Sequence, residues 1–195
     1  MQTGRMEAFT DGVMAVIITI MVLEIKVPHG VEVAALEPLV SSMLGYTLSF
    51  VFLGIYWNNH HHLMHAAERV SGGALWANLH LLFWLSLVPV VTTWVGQNPT
   101  APLPTILYGV VLLCAGVAYF VLVRLLVAIN GKDSPLARAV GSDRKGAVSA
   151  SLYLAAIALA FVRPWLAQLV YLLVALLWLV PDRRIERTLT NSEGA

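Results

Sequence analysis

Six long runs of apolar residues alternate with short polar or helix-breaking segments along the 195 residues of the chain. Each run is close to the ~20 residues that an α-helix needs to cross a bilayer. Pro28 ends the first run, and Arg163 and Pro164 make a tight turn between the last two. The pattern predicts an all-α integral membrane protein with six transmembrane helices. These helices are expected over residues 9–27, 39–57, 75–95, 106–129, 147–162 and 165–180.

The composition agrees with an integral membrane protein that has a single domain. Hydrophobic residues make up 58% of the chain and charged residues 12%, which lies outside the range of soluble domains. The first run is longer than the roughly 7–15 apolar residues of a signal peptide, so we expect it to stay as the first helix. We predict one six-helix transmembrane domain over residues 1–187 and a short cytoplasmic tail over residues 188–195.

The basic residues predict the orientation. If the N-terminus lies inside, ten of the 12 Lys and Arg residues fall on the cytoplasmic side. Lys26 and Arg163 alone fall outside, which is a strong positive-inside bias. We therefore expect a multi-pass protein of the cell membrane with both termini in the cytoplasm. The ten inner residues are Arg5, Arg69, Arg124, Lys132, Arg138, Arg144, Lys145, Arg183, Arg184 and Arg187. The net charge of +1, without a basic aromatic patch, predicts no nucleic-acid partner.

The first helix combines an acidic residue with an aliphatic ridge. At ~100° per residue, Val16, Ile20 and Leu23 fall within about 60° of one another, while Asp11 points roughly 140° away from Val16. An ionised carboxylate near hydrocarbon costs several kcal/mol unless it is paired, so Asp11 should face other helices of the bundle. The ridge is compatible with ordinary aliphatic packing and with a hydrophobic constriction that gates a pore by dewetting. Periodicity does not separate these two interpretations.

A histidine cluster ends the second helix. Residues 58–62 read Asn-Asn-His-His-His, and His65 follows one turn after His61. Such a pair can hold a divalent metal, but a membrane metalloenzyme needs several separated histidine boxes, which are missing from this sequence. We predict no catalytic metal, no cofactor and no enzymatic activity. Hydrogen bonds from the imidazoles to Arg5 or Asp11 and to the third helix are the preferred interpretation.

The third helix contains polar residues and a proline. Asn78 is expected to form a structural hydrogen bond across helices. Coupling of Asn78 to Asp11 and the histidine cluster is the alternative interpretation. Pro89 is expected to kink the helix, because proline lacks a backbone N–H and clashes with the preceding turn.

Several motifs resemble those of one known family. Residues 5–12 read Arg-Met-Glu-Ala-Phe-Thr-Asp-Gly and resemble the R-x-x-x-F-S-D signature of the transmembrane protein 175 family of potassium channels. Residues 15–28 are similar to the family's prokaryotic first helix, and residues 56–63 to the end of its second. Asn78 and Leu79, with residues 86–89, are similar to its third helix. The motifs cover the first half of the chain, and their joint order and spacing make the resemblance specific.

The resemblance implies a homotetramer in which the first helices surround a central pore. It implies that the protein conducts potassium, and other monovalent cations and protons are further candidate permeants. It also implies that membrane lipids surround the protein. Carried across by position, the narrow point would be formed by Val16, Ile20 and Leu23, with Thr19 as a polar layer. The remaining motif residues would form a network that fixes the first helix away from the pore. This network comprises Arg5, Phe9, Thr10, Asp11, His60, His61 and Asn78.

Two positions depart from the family pattern. Thr10 replaces the usual serine and keeps the hydroxyl group. Val16 stands where isoleucine or leucine is typical, which removes one methylene per subunit from the tightest ring. We therefore expect a wider constriction that conducts more or discriminates less between potassium and sodium. The chain also lacks a TVGYG-type carbonyl filter, so strong selectivity by dehydration is not expected.

One alternative function remains open from the residues alone. A proton- or cation-coupled secondary transporter would use Asp11 with His60, His61 and His62 as a relay inside the membrane. Passive and continuous flux under a gradient would distinguish a channel from such a carrier.

Overall fold

The regular structure of the described part of the chain is helical. The computed structural model describes residues 3–131, 133–141 and 144–179, and a 3₁₀ turn at Val33–Leu36 is the one other regular element within these ranges. The helices are α1 (Gly4–Leu23), α2 (Glu37–Ala66), α3 (Gly72–Ser86), α4 (Val88–Gln97), α5 (Pro102–Asn130), α6 (Pro135–Val140), α7 (Arg144–Ala160) and α8 (Pro164–Leu179).

Four stretches of the described chain are long and apolar enough to cross a membrane. They are Gly4–Leu23, Val33–Ala66, Gly72–Gln97 and Pro102–Asn130. This result confirms the prediction of a multi-pass helical membrane protein. The count of six spans stays a prediction, because α7 has 17 residues and α8 has 16.

Some sequence predictions lie outside the described residues. They concern the end of the sixth run, the end of the domain at residue 187, the tail over residues 188–195 and four of the ten inner basic residues. These four are Lys132, Arg183, Arg184 and Arg187.

Two helices differ from the predicted segments in a way that matters for the site. The helix predicted over residues 39–57 continues as α2 to Ala66, so the whole histidine cluster is helical. The third predicted helix is divided into α3 and α4 at Leu87. Pro89 lies in the first turn of α4, where a missing backbone N–H leaves no hydrogen bond unmade. The kink expected at Pro89 thus takes the form of an interruption of the helix at Leu87.

The last two helices form the hairpin expected from Arg163 and Pro164. The N–H of Arg163 donates to the carbonyl of Leu159 at 2.8 Å and closes the turn between α7 and α8. At the other end of the pair, Trp178 Nε1 donates to Ser149 Oγ at 2.8 Å. The two helices therefore pack along their length and against α5.

Helix α5 lies in the middle of the bundle and α1 lies at its edge. α5 contacts α3, α4, α7 and α8, and its residues Leu112, Leu122 and Leu126 are buried. Among the described helices, α1 packs closely against α2, α3 and α4. One face of α1 is consequently left uncovered.

A buried polar cluster joins α2, α4 and α5. Ser49 Oγ lies 2.6 Å from Thr92 Oγ1 and 2.9 Å from the Tyr108 hydroxyl. Hydroxyl groups in an apolar bundle must find partners within the protein, because no water or lipid group satisfies them there. The cluster therefore sets the relative position of these three helices.

The close approach of α5 and α8 predicts a difference between two glycines of α5. A Cβ at Gly109 would overlap the Tyr171 hydroxyl and lie 2.9 Å from Ile157 Cγ1. A Cβ at Gly116 would meet only the Tyr56 hydroxyl, at an ordinary 3.7 Å. We expect Gly109→Ala to destabilise the protein by about 1–3 kcal/mol through overpacking. Gly116→Ala should be neutral or stabilising because alanine favours the helix. Melting midpoints in detergent measure both variants, and equal midpoints would contradict this packing.

Candidate functional site

Helix α1 has one buried face and one uncovered face. Its buried residues recur every three or four positions and pack into the subunit. They are Met6, Thr10, Met14, Ile17 and Met21. On the opposite face Val16 is 55% exposed, Ile20 44% and Leu23 81%. The aliphatic ridge therefore lies outside the core of the chain, on a face that the described residues leave uncovered.

Thr19 lies on the uncovered face beside the ridge. Its hydroxyl donates to the Val16 carbonyl at 2.9 Å, one turn earlier in the same helix. The hydrogen of the hydroxyl is thereby used within α1, and its oxygen remains as an acceptor on an exposed surface. Among the predicted pore residues, Thr19 supplies the one side-chain oxygen.

A buried bridge ties α1 to α2 and α3. Asn78 Nδ2 donates to Thr10 Oγ1 at 2.9 Å, and Asn78 Oδ1 lies 3.0 Å from His60 Nε2. All three side chains are at most 2% exposed. In this arrangement Nε2 of His60 donates to the Asn78 oxygen, because that oxygen has no hydrogen to give. His60 Nδ1 is buried without a hydrogen-bond partner among the described residues.

The two carboxylates of α1 both bind side chains of α2. Glu7 Oε1 lies 2.8 Å from His61 Nδ1, and Trp57 Nε1 donates to Asp11 Oδ1 at 2.9 Å. The rings of Trp57 and His61 stack with their centroids 6.2 Å apart. Asp11 thus faces a neighbouring helix, on the side of α1 away from the ridge, as the helical wheel indicates.

Three of the seven predicted network residues bond one another, two bond other side chains, and two form neither kind of contact. Arg5 and Phe9 are both exposed on α1, and Phe9 is 55% exposed. The Arg5 side chain forms no hydrogen bond or ion pair with the residues that the structure describes. The joined residues are Thr10, Asn78 and His60 in the bridge, with Asp11 and His61 in the two flanking pairs.

Sequence reasoning missed Glu7 and Trp57 as the partners of His61 and Asp11. A signal for both was available in the spacing. Glu7 and Asp11 are four residues apart on α1, and Trp57 and His61 are four apart on α2, so each pair lies on one helix face. Two carboxylates on one face of α1 require hydrogen-bond donors on a neighbouring helix, and the α2 face with Trp57 and His61 supplies them.

One carboxylate and two imidazoles also come close enough to share a divalent ion. Ligand atoms of Glu7, His61 and His65 lie within 4.8 Å of one another. The Glu7 and His61 atoms already form a direct contact of 2.8 Å, which an ion would have to replace. The prediction that no metal belongs here stays a prediction.

Together these observations define a class of protein. It is a multi-pass helical membrane protein whose first helix is held by polar contacts on one side and is uncovered on the other. Residues 5–89, which contain all of α1 except its first residue and the whole polar network, match the family described as endosomal/lysosomal potassium channel TMEM175.

Whole-chain comparisons extend the match beyond this region. The chain is 49% identical to a protein named as a potassium channel from Chryseobacterium sp. (strain P1-3), over 98% of this chain and 100% of that one. It is 32% identical to a potassium channel from Chamaesiphon minutus, over 85% and 88%. The chain therefore belongs to the TMEM175 family.

A solved structure shows the same fold. It is the crystal structure of a lysosomal potassium-selective channel TMEM175 homologue from Chamaesiphon minutus. The match has a TM-score of 0.74 at 28% identity and covers 91% of this chain and 96% of that one. The helical arrangement described above is accordingly that of a known channel structure.

The buried bridge predicts unequal effects for two changes at Thr10. Thr10→Val keeps the shape but leaves Asn78 Nδ2 without its acceptor, so we expect a loss of about 0.6–1.7 kcal/mol of stability. Thr10→Ser keeps the hydroxyl and should lose less. Thermal unfolding in detergent compares the two variants, and a Thr10→Val protein as stable as Thr10→Ser would contradict a bonded role for the hydroxyl.

Proposed function

We propose that this chain is a potassium-permeable channel in which α1 of four identical copies lines a central pore. The named relatives are potassium channels, and none of the names reported above describes an enzyme. The observation that carries the proposal is the uncovered aliphatic ridge of Val16, Ile20 and Leu23 on a helix whose opposite face is fixed.

A single α1 cannot enclose a path, so the proposal requires several copies. The ridge extends about 10 Å along the helix axis at 1.5 Å per residue. Aliphatic rings of this length in a narrow pore exclude water and ions until they widen, which is gating by dewetting. Thr19 would add a ring of hydroxyl oxygens between the aliphatic rings. Potassium would pass without a carbonyl cage, and other monovalent cations and protons are the further candidate permeants.

The proposed topology has six spans, with α7 and α8 as the fifth and sixth. The contact between Glu7 and His61 places the start of α1 and the end of α2 at one end of the bundle. This end also receives the end of α5, where Asn130 Oδ1 accepts from the backbone N–H groups of Glu68 and Arg69 just after α2. Arg124 lies in the last two turns of α5, and Arg144 begins α7, which follows α5 through the short α6. The positive-inside rule then supports cytoplasmic termini in the cell membrane. One channel domain would cover residues 1–187, followed by a short tail.

A coupled transporter is less well supported by the contacts. Its proposed relay groups are used in separate bonds, Asp11 with Trp57 and His60 with Asn78. Between Asp11 and the end of α1 the sequence contains only one further polar side chain, Thr19. A relay through α1 would therefore stop halfway. Potassium flux that is passive and needs no proton gradient separates the channel from the carrier.

Polar substitutions on the ridge test the proposed constriction. Val16→Asn, Ile20→Asn and Leu23→Asn should each raise cation flux from proteoliposomes, because an amide at a hydrophobic constriction lets water enter it. Val22→Asn is the matched control. Val22 is 46% exposed on the same helix, but it points about 120° away from Val16. Flux that is unaltered in all three ridge variants would remove these residues from the pore.

The small side chain of Val16 gives a second test of the same ring. Val16→Ile adds one methylene per subunit, so it should lower potassium flux and raise the ratio of potassium to sodium permeability. Val22→Ile adds the same group away from the ridge and should change neither quantity. Unchanged flux and selectivity in Val16→Ile would show that residue 16 does not set the width of the pore.

A further inference from the structure

A groove of about 310 Å³ opens on the side of the bundle formed by α2, α5, α7 and α8. Its wall is largely apolar and includes Phe52, Tyr56 and Trp178. Val117 and Phe120 also line the groove and are exposed at its rim, so it is open to the surroundings of the protein. None of the described lining residues belongs to α1, α3 or α4. The groove is therefore separate from the uncovered face of α1.

Two cations lie over aromatic rings that line this groove. The guanidinium carbon of Arg124 lies 4.8 Å from the centroid of the Phe120 ring. Lys145 Nζ lies 6.0 Å from the centroid of the Trp178 ring. No described lining residue is itself charged. Among the described residues, two positive groups thus border a groove whose lining carries no charge.

Both cations are at the same end of the groove. α2 and α5 run towards the end of the bundle where α1 starts, and α7 runs away from it. The lining residues nearest that end are Asn59, Phe120, Gly146 and Trp178, and Lys145 directly precedes Gly146. The groove therefore has a basic end at the surface and an apolar end towards the middle of the bundle.

We propose that this groove binds an anionic phospholipid. Its phosphate would lie between Arg124 and Lys145, and an acyl chain would lie along the aromatic wall. Basic sites between transmembrane helices at the cytoplasmic surface attract anionic headgroups. The apolar wall of the groove would pack against the acyl chain of the lipid. A zwitterionic headgroup would bring a quaternary amine against the same cations and would be bound less well.

The charge pattern distinguishes this occupant from a second copy of the chain. The face that the pore proposal assigns to self-association is on α1, and no described lining residue is on α1. A membrane-embedded groove with a basic rim matches a molecule that is apolar along its length and negative at one end. This proposal goes beyond the proposed function, and its readout is binding, which does not depend on conduction.

Phosphatidylglycerol and phosphatidylcholine are the probes. The purified full chain in detergent is titrated with each lipid, and bound lipid is counted by native mass spectrometry. We expect wild-type protein to retain phosphatidylglycerol in preference to phosphatidylcholine. Arg124→Gln combined with Lys145→Gln should weaken phosphatidylglycerol binding about 25-fold, since each cation near an anionic lipid contributes about fivefold. Arg138→Gln combined with Arg163→Gln removes the same charge elsewhere and should leave binding unchanged.

A second pair of variants tests the groove while keeping its charge. Gly116→Leu and Ala150→Leu each place a side chain into the lined space and should weaken phosphatidylglycerol binding about tenfold. Ala158→Leu, on the exposed side of α7, is the matched control. Lys145→Arg combined with Arg124→Lys keeps both positive charges and should keep the wild-type lipid preference. This result would show that the double glutamine variant loses binding through its lost charge and not through misfolding.

Three results would overturn the proposal. The first is equal retention of the two lipids by wild-type protein. The second is an equal loss of phosphatidylglycerol in the control charge pair, which would show general surface attraction without a defined site. The third is efficient disulfide crosslinking of Val117→Cys between copies, which would show that a neighbouring subunit covers the groove.

Discussion

The structure depends on the requirement that polar side chains within the membrane be satisfied by other parts of the protein. Glu7, Thr10 and Asp11 lie within two turns of α1, and each has its partner on α2 or α3. These contacts determine the rotation of α1 about its own axis, because turning the helix would expose two carboxylates and a hydroxyl to hydrocarbon. The ridge lies on the opposite side as a consequence of helix geometry.

The polar contacts and the aliphatic ridge lie at different positions along α1. The polar contacts hold the first turns of α1, whereas the turns that carry the ridge are packed through Met14, Ile17 and Met21. Methionine is flexible and polarisable, so it fills irregular space and permits small adjustments. The helix is thus fixed firmly at one end and packed by adaptable side chains at the other. This arrangement suits the proposed role of α1 as the helix that lines the pore.

α2 lies between the two candidate sites. Trp57 and His61 contact the carboxylates of α1, whereas Tyr56 and Asn59 line the groove on the other side. The extension of α2 to Ala66 makes this possible, because the histidine cluster continues the helix in place of a loop. The basic end of the groove and the polar support of α1 are therefore at the same end of the bundle.

Much of this protein could be predicted from its sequence because the governing signals are local. Long apolar runs predicted the helices, the turn at Arg163 and the break near Pro89 followed from backbone chemistry, and short motifs predicted the family. The opposition of Asp11 to the ridge needed only 3.6 residues per turn. The four-residue spacings place Glu7 with Asp11 and Trp57 with His61 on single helix faces, but which faces meet was decided by the tertiary structure. Asp11 pairs with Trp57 across 46 residues, and Glu7 with His61 across 54. Such pairings depend on how helices pack against one another, which the periodicity of one helix does not contain.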